Sequence, residues 1–388
     1  MSDNGSRMPM QHYGRSLFSK IIAAVLLIAV ILVIVALVAF PDELNVDAMR
    51  RWFTYLNKRG SDSYGEYHYD AHNSNHFGAL DDGLAIASVA GLNGYDSGGN
   101  LMTTAQAQMS QPVLQTNGEY ALTYDVAGQT LLAIHARQGE VLRIEDPQFI
   151  YDADLAADGS IGSSASVTGH KTVLSVYDSD QTLIYRWLSS STYMPLCAVS
   201  DGGRYLASVG LGQTDGSYES RLYLFKTDTE SPIMDICLGN EIAYDLFFTK
   251  KDSICVIGET ECTFFDLSGT EIGSCTYSEP YLKDIEAGGD GFLTLLLNMY
   301  SAGNRNTLQT VDFNGNMLGS LYLGEDVLDL SAAGKYLAVL TNENLTIYNS
   351  ALEVYAQTVD TKAATSVVMR PDGTAMLLGS SDGSLFIP

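Results

Sequence analysis

Three of the six histidines are spaced four residues apart, at His68, His72 and His76. On an α-helix this spacing places the imidazoles on one face, where they can bind a metal ion. Residues 64–70, however, alternate as the residues of a β-strand do, and residues 73–75 are typical of a loop. Because no helix aligns the three side chains, we interpret them as solvated histidines and predict no metal site.

An acidic segment with Asp152, Asp154 and Asp158 is a second candidate for cation binding. Its spacing differs from that of an EF-hand loop, which places its first acidic ligands at alternate positions directly before a glycine. The segment reads IYDADLAADG, an alternating stretch that ends at an Asp158-Gly159 turn. We therefore predict a β-strand and its turn at this position.

The chain contains five cysteines, an odd number that cannot all pair within one molecule: Cys197, Cys237, Cys255, Cys262 and Cys275. Cys262 and Cys275 are symmetric about the Ser268-Gly269 turn, and Cys255 and Cys262 about Gly258-Glu259, so a cross-strand disulfide stays open. We interpret the cysteines as small apolar residues of strands. None forms a closely spaced metal-binding pair, and the adjacent cysteines of quinoprotein dehydrogenases are absent.

Motifs of the common catalytic sites are missing. The sequence contains no serine nucleophile elbow, no Walker loop and no Rossmann fingerprint. The 23 tyrosines can stack on glycans or peptides, but tyrosine is also a common strand residue. We predict no catalytic residue, no cofactor and no metal ligand, and we expect that the protein is not an enzyme.

A strand–turn–strand unit recurs from residue 76 to the end of the chain. Its cleanest copy is Met194–Pro232, with strands predicted at Leu196–Val199, Arg204–Val209 and Arg221–Phe225 and a fourth after residue 230. The eight first strands begin 36 to 48 residues apart, near His76, Pro112, Ile150, Met194, Ile242, Tyr281, Asp326 and Thr365. A lone sheet of this size cannot bury both faces, and all-β repeats of about 40 residues usually stack radially as a β-propeller.

The two ends of the repeat region complement each other. The last unit, residues 365–388, contains three strands, and residues 63–70 (SYGEYHYD) can supply the missing outer strand. Closing the ring with both chain ends in one blade removes exposed sheet edges. We therefore predict an all-β, eight-bladed β-propeller over residues 64–388, with seven blades as the alternative if this segment pairs elsewhere.

The hairpins between third and fourth strands carry an aspartate followed by a glycine, as in Phe265-Asp266-Leu-Ser-Gly269 and Val311-Asp312-Phe-Asn-Gly315. They resemble PQQ-like and WD40-like propeller repeats, and residues 176–187, which run from Val-Tyr-Asp to Trp187, resemble a PQQ-type repeat most. The whole layout is similar to that of an uncharacterised family of membrane-anchored bacterial propellers. This resemblance implies an architecture and no site.

Residues 21–40 form an apolar run without a charged residue, a glycine or a proline. Twenty helical residues span about 30 Å, the thickness of a bilayer's hydrocarbon core. We predict a transmembrane helix here, because the run is longer than the apolar region of a cleaved signal peptide and ends in a poor cleavage site. Basic residues flank it on both sides, at Arg7, Arg15, Lys20, Arg50, Arg51, Lys58 and Arg59.

A short basic leader before a long apolar run is typical of a signal anchor. We expect residues 1–20 in the cytoplasm and the propeller outside a plasma membrane that the chain crosses once. Between them, in residues 41–63, Asn45 is a plausible N-cap, and Val46, Met49, Phe53 and Leu56 follow at helical spacing. This segment predicts a juxtamembrane helix, either in the headgroup layer or docked on the propeller rim.

The net charge is −25, and residues 41–388 alone carry −27. Such a surface repels phosphate backbones, so nucleic acid is excluded as a partner. The first functional hypothesis is a scaffold in the cell envelope that binds proteins or an extracellular ligand. The second is a sensor of a glycan or peptide, and the third is an enzyme, which ionisable side chains converging in the channel would favour.

Overall fold

The computed structural model describes residues 51, 55, 65–72, 74–145, 149–214 and 216–388. The chain divides into two compact units, residues 1–60 and 61–388. Arg51 and Tyr55, the described residues of the first unit, are helical. The predicted cytoplasmic segment, the predicted transmembrane helix and the rest of the predicted juxtamembrane segment lie outside the described residues. In the part that is described, no helix has the length and apolar character needed to cross a membrane.

Eight four-stranded antiparallel sheets make up the described part of the second unit. The chain enters them with β1 (Glu66–His68). Blades 1 and 2 follow as β2 (His76–Leu80), β3 (Gly83–Ser88), β4 (Gly91–Tyr95), β5 (Leu101–Gln106), β6 (Pro112–Thr116), β7 (Tyr120–Asp125), β8 (Thr130–His135) and β9 (Gly139–Glu145). Blades 3 and 4 are β10 (Ile150–Leu155), β11 (Ile161–Val167), β12 (His170–Tyr177), β13 (Leu183–Ser189), β14 (Tyr193–Val199), β15 (Tyr205–Thr214), β16 (Ser217–Lys226) and β17 (Met234–Gly239).

The other blades continue the same order. Blades 5 and 6 are β18 (Asp245–Phe248), β19 (Ile254–Ile257), β20 (Glu261–Phe265), β21 (Glu271–Thr276), β22 (Tyr281–Glu286), β23 (Phe292–Asn298), β24 (Asn306–Asp312) and β25 (Met317–Leu323). Blade 7 is β26 (Val327–Ala333), β27 (Tyr336–Thr341), β28 (Leu345–Asn349) and β29 (Val354–Thr358). Blade 8 combines β30 (Ser366–Met369), β31 (Ala375–Leu378) and β32 (Asp382–Phe386) with β1.

The blades close into a ring because each one shares a hydrophobic core with the next. Eight buried clusters each join residues of two neighbouring blades, and the cluster between blades 8 and 1 completes the circle. The first strand of each blade is innermost, and the fourth is outermost. The structure thus confirms the prediction of an eight-bladed β-propeller over the seven-bladed alternative.

Strand β1 closes the ring as predicted. It pairs with β32, and Glu66, Tyr67 and His68 oppose Ser384, Gly383 and Asp382. The Tyr67 side chain is buried in the cluster between blades 8 and 1, whereas its neighbours on the strand are exposed. The segment therefore contributes both a strand edge and a core residue to the closure.

Two boundaries differ from the sequence predictions. In blade 4 the second and third strands are ten residues each, because residues 210–214 and 217–221 continue to pair. The hairpin therefore extends well beyond the predicted ends, Val209 and Arg221. Blade 5 begins at Asp245 rather than Ile242, since residues 240–244 belong to the connection between blades 4 and 5.

The antiparallel order assigns the loops to two faces. Turns between first and second strands, and between third and fourth strands, emerge together on what we call the lower face. Turns between second and third strands emerge with the connections between blades on the opposite, upper face. Lower turns are pinned by local hydrogen bonds: Asp266 Oδ1 accepts the N–H groups of Ser268 and Thr270 at 2.8 and 2.9 Å, and Gly269 has a φ of +88°.

The closing strand generates the first prediction. Tyr67→Ala leaves a cavity in the shared core of blades 8 and 1, and replacing a buried aromatic residue by alanine typically costs about 3–5 kcal/mol. We expect the free energy of unfolding, measured by denaturant titration, to fall by that order. Glu66→Ala on the same strand is the matched control and should change it by less than about 0.5 kcal/mol. Equal effects of the two substitutions would contradict the closure.

Candidate functional site

Six carboxylates lie on the inner strands of blades 3, 5, 6 and 7. These channel carboxylates are Asp152, Asp154, Asp245, Asp284, Glu286 and Asp329. In blades 3, 6 and 7 the first aspartate of the strand directly follows an irregularity in the pairing with the second strand. The same local bend therefore precedes an acidic residue in three different blades.

Four of these carboxylates accept a backbone N–H from the inner strand of the next blade. Asp152 Oδ2 and Asp154 Oδ2 accept the N–H groups of Cys197 and Val199, each at 2.8 Å. Glu286 Oε2 accepts the Ala332 N–H, and Asp329 Oδ2 accepts the Val367 N–H, again at 2.8 Å. Neutral side chains make the same kind of bond: Gln115 Oε1 accepts from Leu155 N at 2.9 Å, and Ser331 Oγ from Met369 N at 3.0 Å.

The inner strands need these acceptors because each is the free edge of its sheet. An unpaired backbone N–H that is shielded from water costs about 1–3 kcal/mol, and a hydrogen bond to a charged acceptor avoids that cost. Side chains two residues apart on one strand meet N–H groups two residues apart on the next, as in the pairs formed by Asp152 and Asp154. The bonds follow the two-residue period of the strand.

Asp152 joins three blades. Its Oδ1 accepts the hydroxyl of Tyr124 on β7 at 2.8 Å, while its Oδ2 accepts the Cys197 N–H of β14. The Tyr124 side chain is itself buried, and burial beside the carboxylate raises its pKa far above its usual range. This residue therefore connects blades 2, 3 and 4 through one carboxyl group.

Burial raises the pKa of the channel carboxylates. The pKa is about 6 for Asp152 and Asp329, about 7 for Asp154 and Asp245, and about 8 for Glu286. Desolvation is the largest cause, and neighbouring acids add to it. Asp152 and Asp245 act on Asp154, while Asp284 and Asp329 act on Glu286. Asp284 is the most exposed of the six, and partial burial raises its pKa as well.

Sequence reasoning missed this set, although its signal is present in the repeats. The first-strand segments of units 3, 5, 6 and 7 read YDADL, AYDLF, LKDIE and VLDLS, each with an acid inside an apolar strand. Asp152 and Asp154 were predicted as strand residues, which the structure confirms, since they belong to β10. Their role toward the next blade depends on strands distant in sequence, which a single segment does not reveal.

The three histidines are distributed over two blades and a loop. His68 is on β1, His76 begins β2, and His72 lies between them. His68 Nδ1 is 2.7 Å from Asp382 Oδ1, in an exposed pair. Desolvation lowers the pKa of His76. Among the described residues, no group of three or more histidine, cysteine or acidic side chains has a geometry suited to a metal ion.

The cysteines are unpaired, and four of them pack in the cores between blades. Cys197 belongs to the cluster of blades 3 and 4, while Cys255, Cys262 and Cys275 belong to that of blades 5 and 6. Cys262 and Cys275 face each other across β20 and β21, as their symmetry about the turn predicts. Cys255 faces Phe264 instead of Cys262, so that predicted symmetry is wrong. Cys237 on β17 is exposed.

Exposed aromatic and large apolar side chains are unevenly divided between the two loop faces. Those of the upper loops and adjoining strand ends are Phe149, Tyr193, Tyr218, Ile242, Tyr244, Tyr281, Met299, Tyr300 and Val359. Ile233 is their counterpart among the described lower turns, which otherwise carry polar residues and small apolar ones at the surface. We call the upper set the aromatic loop face. Tyr218, at the tip of the long hairpin of blade 4, is 76% exposed.

A cavity of about 630 Å³ opens on the lower face between blades 1 and 2. It is bordered by Asp81, Tyr95, Met102 and Arg137. Arg137 Nη2 and Asp81 Oδ2 form an exposed ion pair of 3.5 Å across its rim. The ion pair satisfies these two charges, and we assign no ligand to the cavity.

Ring closure by eight blades, with inner strands joined through side-chain oxygens, defines a β-propeller. The structure is similar to that of BamB from Moraxella catarrhalis, with a TM-score of 0.52, 14% identity, and coverage of 82% of this chain and 97% of that one. It is also similar to the C-terminal WD40 domain of Sif2 (TM-score 0.56, 12% identity, 83% and 97% covered) and to the Dos1 propeller (0.56, 11%, 84% and 96%). At these identities the likeness establishes the fold.

The family model described as a family of unknown function (DUF5711) matches residues 57–378, and the chain belongs to that family. No curated protein matches the sequence. The predicted likeness to WD40 propellers is confirmed at the level of fold, and the family supplies no activity, partner or site.

The channel carboxylates generate a prediction about pH. Because their pKa values are higher in the folded protein than in the unfolded chain, the folded state binds more protons between about pH 4 and pH 8, and stability falls as the pH rises through that interval. Asp154→Asn keeps an oxygen for the Val199 N–H and removes the charge. We expect it to raise the melting temperature at pH 8 by about 2 °C or more, and to change it little at pH 5.

The control for this experiment is Asp180→Asn, which removes one charge from the exposed 3–4 turn of blade 3. It accounts for the general relief of repulsion in a chain of net charge −25. Melting curves of both variants and the parent protein at pH 5 and pH 8 give the comparison. If Asp154→Asn and Asp180→Asn shift the pH dependence equally, the channel carboxylates do not set it.

Proposed function

We propose that this protein is a single-pass, membrane-anchored propeller that acts outside the cytoplasm as a protein-interaction scaffold of the cell envelope. The aromatic loop face carries the proposal. Propellers offer a rigid disc on which loops of one face can bind a partner, and tyrosine and large apolar side chains are enriched where proteins bind one another. Residues 21–40 supply the anchor in this proposal, and residues 1–20 its cytoplasmic end.

The contrast between the faces supports a binding role for the upper one. Polar lower turns hold themselves through local hydrogen bonds, as at Asp266 and Asp312. Upper loops instead expose tyrosines such as Tyr244 and Tyr300, each about half accessible. Scattered apolar residues on a surface need no explanation, but concentration on one loop face is typical of an interaction site.

One observation favours a second candidate function, an acid–base enzyme. The six channel carboxylates converge near the axis, and several have pKa values between about 6 and 8, the range in which general acids and bases work. Four of them, however, hold a backbone N–H of the next blade, which is a structural use of the same oxygens. We therefore rank the scaffold first and expect no catalytic activity.

A test of the scaffold compares two triple variants of the full chain. Tyr193→Ala, Tyr244→Ala and Tyr300→Ala together truncate the aromatic loop face, and Leu101→Ala, Ile272→Ala and Val354→Ala truncate exposed outer-strand residues as the control. Affinity capture from cross-linked envelopes, quantified by mass spectrometry, should recover partners with the control and lose them by about tenfold or more with the face variant. Equal recovery with both variants would contradict this face as the binding site.

Cys237 provides a test of membrane orientation, because it is exposed while the other four cysteines are buried. A membrane-impermeant maleimide added to spheroplasts should label the parent protein and leave Cys237→Ser unlabelled. A cytoplasmic thiol protein serves as the control for membrane integrity. Labelling that appears only after lysis would place the propeller in the cytoplasm and contradict the proposed topology.

A further inference from the structure

The acidic residues of the upper face are concentrated in one sector. The loops of blades 4 to 7 on that face are the connections 240–244, 277–280 and 324–326 and the turns 258–260, 299–305 and 342–344. Their acidic residues are Glu241, Glu259, Glu279, Glu325, Asp326 and Glu343, against the single basic residue Arg305. We call these loops the acidic sector.

The acidic sector contains much of the aromatic loop face. Ile242 and Tyr244 lie in its first connection, Tyr281 directly follows its second, and Met299 and Tyr300 lie in the turn of blade 6. The Arg305 guanidinium is 6.0 Å from the centre of the Tyr300 ring. A cation from the chain itself thus already uses one of these tyrosines as a partner.

Ion pairing within the chain leaves these acids unneutralised. Salt bridges of the described residues lie elsewhere, for example Arg221 with Asp235 on the outer strands of blade 4, and none of those found involves Glu259, Glu279 or Glu325. The side chains of these three residues are partly accessible at the surface. The sector therefore presents negative charge beside exposed aromatic rings.

We propose that the acidic sector binds a polypeptide segment that combines lysine or arginine with large apolar side chains. This inference rests on the proposed function and names the chemistry of its partner. Complementary charge speeds association and excludes wrong partners, while the aromatic anchors supply most of the affinity. A second copy of this chain is excluded as the occupant by its own charge of −25, and anionic lipid headgroups are repelled in the same way.

The tyrosines fit this partner for a second reason. A lysine or arginine over a tyrosine ring gains a cation–π interaction, which at an exposed site contributes about 0.5–1 kcal/mol, and the ring also offers apolar area. A segment with both side-chain types can use each tyrosine and each neighbouring glutamate together. An acidic or purely polar segment can use neither.

The test uses synthetic peptides with the purified full chain in detergent. The probe has lysine and leucine at alternate positions of a Gly/Ser background. One matched peptide replaces each lysine by glutamate, and another replaces each leucine by serine. Fluorescence anisotropy of labelled peptides gives the dissociation constants. We expect the lysine–leucine peptide to bind at least about tenfold more tightly than either matched peptide, with affinity that falls as the salt concentration rises.

A pair of charge-reversed variants separates the acidic sector from general attraction to an acidic protein. Glu259→Lys, Glu279→Lys and Glu325→Lys reverse the sector, and Glu119→Lys, Asp180→Lys and Glu230→Lys reverse three exposed acids of the lower face by the same total charge. We expect the sector variant to lose at least about tenfold in affinity and the lower-face variant to keep the parent affinity. Equal losses, or no preference for the lysine–leucine peptide, would overturn the proposal.

The outcomes distinguish this inference from the proposed function. If the aromatic-face variant loses its captured partners while the peptides show no preference, the scaffold stands and its partner has other chemistry. If the captured partners are unchanged, the scaffold proposal itself fails. Melting curves of both charge-reversed variants confirm that each is folded before binding is compared.

Discussion

Each inner strand of this propeller is the free edge of its sheet, and eight such edges converge around one axis. Backbone N–H groups there cannot be left without acceptors. Side-chain oxygens of the preceding blade fill this need, through aspartate at three seam contacts, glutamate at one, and glutamine or serine at others. The hydrophobic clusters press neighbouring blades together, and these bonds fix the height at which one inner strand meets the next.

The same requirement places negative charge where water is restricted. Carboxylates are strong acceptors, but desolvation and mutual repulsion raise their pKa values toward neutrality. Acidity at the axis is therefore a consequence of how the ring is held together, whereas the acidity of the upper loops of blades 4 to 7 makes no comparable contact with the backbone of a neighbouring inner strand. This difference separates a structural use of acids from a surface open to a partner.

The sequence determines the repeat well, because each blade is a local hairpin series whose turns carry their own signals. The Asp266-to-Gly269 turn and the return of residues 66–68 to the last blade are both visible in the residues. The hairpin of blade 4 was underestimated because residues 210–214 contain two glycines and polar residues, and they extend the strand only by pairing with residues 217–221. The contact of Asp154 with Val199 joins residues 45 apart in separate sheets, and no local pattern records such a contact. Exposure on one face also follows from topology, since the loops that share a face are distant in sequence.

Hydrogen exchange at the inner strands tests the seam bonds most directly. The amides of Val199 and Val367 belong to first strands, and each donates to an aspartate of the preceding blade rather than to a strand on that side. Residue-resolved exchange on the native full chain should show both amides protected to the level of amides paired within sheets. Exchange as fast as that of the exposed upper loops would show that the inner edges are open to water, and would contradict a ring held together by side-chain oxygens.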